Sequence, residues 1–233
     1  DLPLFRSKNE VMQGNKVQRK KIIRMSYVKL AGISILVSIF CSLISYSLKH
    51  LTGYVQEHLF EKTMTTENRL FIILPSIGIT AIYFLRKYFF QNRKNKGIKE
   101  IYTTLETRKD HLPFFKIPSH YINGFLTVIF GGSTGVEVST VVATATFGNQ
   151  AYKHFHTARA YKTELICAGI IAGVTVLFGS ALGGFLFAFE VIARKYNKTL
   201  LISGISSMLS AYVFVHYFDS NPLFSFAVKE WRW

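Results

Sequence analysis

Residues 131–140 read GGSTGVEVST, three glycines and four hydroxyls around one carboxylate, Glu137. Glycine lets backbone N–H groups approach a ligand closely. A helix opening at Val136, Glu137 and Val138 aims its unpaired N–H groups and its positive dipole end the same way. Such a helix start is anion-binding chemistry, with Gly135, Val136, Val138 and Ser139 as the candidate backbone donors. Glu137 is the one ionisable residue in this stretch and a functional candidate on that ground; its plainer reading is a helix-start carboxylate favoured by the dipole. Ser133, Thr134 and Ser139 invite comparison with a nucleophile, but no histidine lies near them in sequence, so intramembrane enzyme chemistry is a secondary hypothesis and the chain is read as no enzyme. His154 and His156 flank Phe155 without an accompanying carboxylate or cysteine, and are read as surface histidines rather than metal ligands.

The elements that must position these residues are apolar. Of 233 residues 49% are hydrophobic, with 21 Phe and 12 Tyr, which departs from soluble-domain usage. The formal charge is +15. Its basic residues fall between apolar runs, the pattern of membrane topology rather than of a nucleic-acid-binding face. Cys41 and Cys167 sit inside apolar runs without metal-ligand spacing and read as free thiols. The first apolar run starts too deep, and lacks a small-residue cleavage site, to be a secretory signal.

Residues 1–24 are polar and basic, the expected cytoplasmic N-terminal segment. Residues 25–48 suffice to cross a bilayer, which takes about 20 apolar residues. The connection 49–69 balances acids against bases and is expected outside; residues 70–90 return to a strongly basic, hence inner, stretch up to Lys99. Long spans are expected near residues 25–58, 69–90 and 199–217. Between them the apolar pieces shorten to 117–130, 135–147, 165–178 and 182–192, dipping in and back in pairs between basic connections. Residues 200–218 then cross outward, leaving Asp219 outside. Residues 219–233, with Trp231 and Trp233, read as an interfacial anchor or as a linker to a following helix. Short, glycine-interrupted segments are the mark of a transporter whose discontinuous helices meet near the midplane. No β-barrel alternation is present; the fold class is all-α membrane protein.

Residues 130–149, FGGSTGVEVSTVVATATFGN, resemble the CLC chloride channel and chloride/proton antiporter motif GGSxGREGPxVQ. Residues 168–192, AGIIAGVTVLFGSALGGFLFAFEVI, are similar to that family's AGxAAGxAAxFNAPLAGxLFxxE. A third, weaker match is NKGIKEI, residues 95–101, in the place of GSGIPE. The resemblance covers residues 25–218. It implies the first half of the CLC inverted-repeat fold, with short tilted and re-entrant helices, and a second hydrophobic half in the full-length protein. It further implies a homodimer in lipid, with one anion path per subunit formed where helix N-termini of both halves meet. Chloride or a similar small anion is then the transported ligand, with no cofactor and no nucleic acid. The implied setting is a multi-pass plasma or inner membrane protein with a cytoplasmic N-terminus.

Carried onto this chain, the resemblance makes Glu137 the gating glutamate and adds Lys96, Gly97 and Ile98 to the anion-binding set. Lys96 stands where the family has a serine that donates to the central anion, and Lys99 where it has proline. A lysine at a helix start opposes the dipole. It either attracts the anion directly or snorkels to the inner mouth, the latter being favoured because a bare ammonium in the path would hold an anion too tightly. In the antiporters the second acid of an EE pair relays protons. Here the pair reads Glu190 then Val191. Valine carries no proton, and Glu190 reads as a partner for Arg194 at i+4 rather than as a substitute relay. Passive or weakly proton-coupled transport through a glutamate-gated path is the resulting expectation, with chloride/proton antiport the alternative. A membrane fragment that only dimerises or misassembles is a third reading.

Overall fold

The computed structural model describes residues 8–66, 70–90, 96–107, 112–132, 136–155 and 160–219. They form eight α-helices: α1 (Lys8–Thr66), α2 (Leu70–Tyr88), α3 (Ile98–Glu106), α4 (Lys116–Ile129), α5 (Val136–His154), α6 (Lys162–Phe178), α7 (Ala181–Leu186) and α8 (Lys198–Phe218). A π-helical stretch, Phe187–Ala193, continues α7. No strand occurs among the described residues.

α6 is the centre. Every residue from Glu164 to Leu177 is buried, as expected of a helix apolar on all sides. α5, α1 and α8 pack around it. Lipid tails are as apolar as leucine, so burial alone gives little reason for helices to associate in a membrane; close backbone approach and interhelical hydrogen bonds must do so. Both are present. A Cβ on Gly148 of α5 would overlap the Leu165 carbonyl, and one on Gly169 of α6 would overlap the Thr144 carbonyl. On α8, Ser203 Oγ donates to the Glu164 carbonyl (3.1 Å) and Ser207 Oγ to the Ala168 carbonyl (2.7 Å). From α1, Ser38 Oγ donates to the Ser207 carbonyl (3.0 Å).

Among the described residues, two helical stretches, Ile22–His58 and Lys198–Phe218, are long and apolar enough to cross a membrane. They carry much of the outward apolar surface, including Phe40, Leu43, Leu209 and Val213. α4, α6 and α7 with its π-helical continuation fall within a few residues of the expected pieces, α5 runs on to His154, and α3 matches none of the expected apolar pieces. The larger difference is α1. The basic segment from Lys8 onward, the first span and most of the supposed outer connection form one 59-residue helix, about 88 Å long at 1.5 Å per residue. No proline stands between Pro3 and Pro75, so nothing obliges the helix to stop where its charge pattern changes. Lys49, expected in a loop, lies on this helix and binds Asp219 at the end of α8 (2.6 Å).

The starts of α6 and α8, which follow the two basic connections in the sequence, lie at one end of the fold. Thr199 at the start of α8 donates to Glu164 near the start of α6 (2.6 Å). At the opposite end Gly179, Ala181, His216 and Asp219 line a common cavity.

Candidate anion site

Lys96 and Gly97 lead into α3. Gly97 is its N-cap at φ 60, ψ −138, a conformation open to glycine and strained for other residues. That turn leaves the N–H groups of Ile98 and Lys99 at the helix end, where an α-helix offers them no acceptor of its own, while the Glu100 N–H donates to the Gly97 carbonyl (3.1 Å). One neighbouring donor is already taken: the Lys96 N–H donates to Glu100 Oε1 (3.0 Å). Glu100 reaches back from the third position of α3, where a carboxylate also gains from the dipole. Its other oxygen accepts from Lys116 Nζ at the start of α4. Both members of this ion pair are buried, at 7% and 4% exposure. The Lys96 side chain is exposed.

α5 starts at Val136. Val136 is buried against Leu48 and Leu177, which anchors the first turn of α5 to α1 and α6. Ser139 is buried, Val138 exposed and Glu137 half-buried. Gly135, with Ser133 and Thr134, lies outside the described residues. The starts of α3 and α5 meet: a Cβ built on Gly97 would lie 3.4 Å from Val138 Cγ1. Lys96, Gly97, Ile98, Val136, Glu137, Val138 and Ser139, drawn from two segments some 40 residues apart, therefore share one locality. Two helix N-termini brought together, with one half-buried carboxylate beside them, offer the backbone donors and dipoles that a small anion can use.

Glu190 is elsewhere. It is exposed, on the π-helical stretch after α7, and among the described residues it has no ion-pair partner. The expected pairing with Arg194 is not made. Arg194 caps the helix at φ 51, so its side chain leaves the face on which i and i+4 are neighbours, and its guanidinium lies over the Tyr102 ring at 4.9 Å. The Tyr102 hydroxyl donates to the Val191 carbonyl (2.8 Å), tying α3 to this stretch. His154 closes α5, while His156 lies outside the described residues, as do Trp231 and Trp233. Cys41 and Cys167 are buried and free.

The Glu100–Lys116 pair was not legible as a pair. Its only sequence signal was a single acid among the basic residues after α2, at the third position of a helix that follows glycine.

Comparison with known proteins agrees with this architecture. The family model described as "Voltage gated chloride channel" matches residues 77–233. The human H(+)/Cl(-) exchange transporter 3 is 30% identical over 153 residues, 62% of this chain and 19% of its own length. A chloride/fluoride channel protein of Pseudomonas syringae pv. tomato is 26% identical over 168 residues, 72% of this chain and 35% of its own. The H(+)/Cl(-) exchange transporter ClcA of Salmonella arizonae is 23% identical over 214 residues, 86% and 44% respectively. In fold, the chain is similar to a CLC-type fluoride/proton antiporter, with TM-score 0.71 and 20% identity over 88% of this chain and 51% of that one. The chain thus spans about half or less of the length of these relatives. With its helical architecture and the family model covering more than half of its residues, the chain belongs to the voltage gated chloride channel family.

Proposed function

We propose that this chain supplies one half of a path for chloride or a similar small anion across a membrane, and that Glu137 is its gate. The observation that carries the reading is the 3.4 Å approach of a Gly97 Cβ to Val138. It brings the starts of α3 and α5 together although separate segments supply them. Backbone N–H groups of Gly97, Ile98, Gly135, Val136, Val138 and Ser139 would hold the anion with the aid of two helix dipoles. Weak, distributed donors of this kind suit conduction, which needs binding loose enough for the ion to leave. The Lys96 side chain, being exposed, would add inward cationic charge rather than coordinate the ion.

When ionised, the Glu137 carboxylate competes for the same donors; when protonated, it gives them up. Val191 at the relay position and the exposed Glu190 favour passive or weakly proton-coupled flux. Strict exchange of anion for proton is the second reading, favoured by relatives whose names are those of H(+)/Cl(-) exchange transporters. The working form is an integral membrane homodimer with the N-terminus in the cytoplasm. Anion flux of the intact protein in liposomes, measured with and without a proton gradient, tests this. Passive transport gives a reversal potential that follows the anion gradient alone. A reversal potential displaced by the proton gradient selects exchange, and no anion flux under either condition overturns the reading.

A further inference from the structure

Within the proposed anion site, α3 carries an acid of its own. Glu100 is buried and accepts from the Lys96 N–H at 3.0 Å, so a negative charge is held at the helix end that would receive a negative ligand. A bare carboxylate buried there would repel an anion and would itself be costly to keep ionised. The structure answers with Lys116: its ammonium pairs with the other Glu100 oxygen, is almost wholly buried, and lies 5.9 Å from the Phe115 ring centroid. Because Lys116 opens α4, the pair also ties the start of α3 to the helix that leads into the glycine segment before Glu137.

We infer that Lys116 is a positioning residue of the anion path, acting through Glu100: it neutralises and fixes the carboxylate at the start of α3 so that the remaining backbone donors there face an anion without an opposing charge. The inference rests on the reading of the α3 and α5 starts as the anion site. The charges need no contact with the ion, since an uncompensated charge in a dry setting acts over several ångströms.

The test is the chloride concentration at half-maximal flux of the intact protein in liposomes, with flux at saturating chloride and thermal stability in detergent measured alongside. Lys116→Met leaves Glu100 uncompensated and is expected to raise the half-saturating concentration on the order of tenfold. Glu100→Gln leaves Lys116 as the excess charge and is expected to lower it. The double variant Glu100→Gln/Lys116→Met restores neutrality and is expected to return within about twofold of the original value.

If the pair is only structural, both single variants lose stability and leave half-saturation where it was, which overturns the inference. A double variant as weak as Lys116→Met also overturns it, because Lys116 would then act on the anion directly. Should Lys116→Met fail to fold, the opposite positions of Glu100→Gln and the double variant decide alone: a lowered value for the first and a restored value for the second support the inference, and equal values overturn it. Chloride flux that is present and saturable with unchanged half-saturation in every variant sinks this inference and spares the proposed function; absence of flux in the unsubstituted protein sinks both.

Discussion

Glu137 is half-buried in the first turn of α5, with the start of α3 beside its neighbour Val138. If the ionised carboxylate competes for the donors an anion would use, as proposed, acid should release it and flux should rise as pH falls. Glu137→Ala removes the competitor and should make flux high and flat across pH in a liposome assay. An unaltered pH response would reduce Glu137 to a helix-start carboxylate. Glu190 makes the contrasting case. It is exposed and without an ion-pair partner among the described residues, so Glu190→Gln is expected to leave both flux and the reversal potential under a proton gradient unchanged. A displaced reversal potential would reinstate it as a relay. Glu137 was legible because a glycine cluster before a helix has few other uses in an apolar chain. The Arg194 pairing misled because i+4 reasoning presumes a continuing helix, and the positive φ at Arg194 ends it.

At the scale of elements, two close contacts decide the geometry. Gly97 holds φ 60 at the start of α3, so Gly97→Ala adds backbone strain of about 1–3 kcal/mol and a methyl group 3.4 Å from Val138. Flux should fall through a shifted α3 start, while the helical content seen by circular dichroism stays the same. Gly169 faces the Thr144 carbonyl, a backbone atom that cannot rotate away. Gly169→Ala should therefore push α5 from α6 and lower stability by about 1–3 kcal/mol, read as an earlier thermal transition in detergent; an unchanged transition would show that the α5–α6 crossing yields easily. The positions of α4, α5, α6 and α7 were visible in the apolar runs and basic connections, whereas α3 was suggested only by the resemblance at residues 95–101. The length of α1 was not, because a change of charge pattern marks a topological boundary without breaking a helix.

The described residues are arranged about one buried helix, α6, ringed by α1, α5 and α8, with outward apolar faces on α1 and α8 and the candidate site where α3 and α5 begin. Its similarity to the fluoride/proton antiporter covers 51% of that chain, and the proposed path is accordingly half of one. The amino-acid sequence by itself determined the helical class, the order of the elements, the glycine-bounded start of α5 and the candidate role of Glu137, since these depend on composition, period and local backbone chemistry. The family resemblance already put the starts of α3 and α5 in one set, and the structure brings Gly97 beside Val138; two things were decided only in the tertiary structure, the burial of Glu100 against Lys116 and the tie from Lys49 to Asp219. Each joins residues that are remote along the chain or separated by a loop, and the close crossings of α6 with its neighbours, rather than any local pattern, set how those segments come to rest against one another.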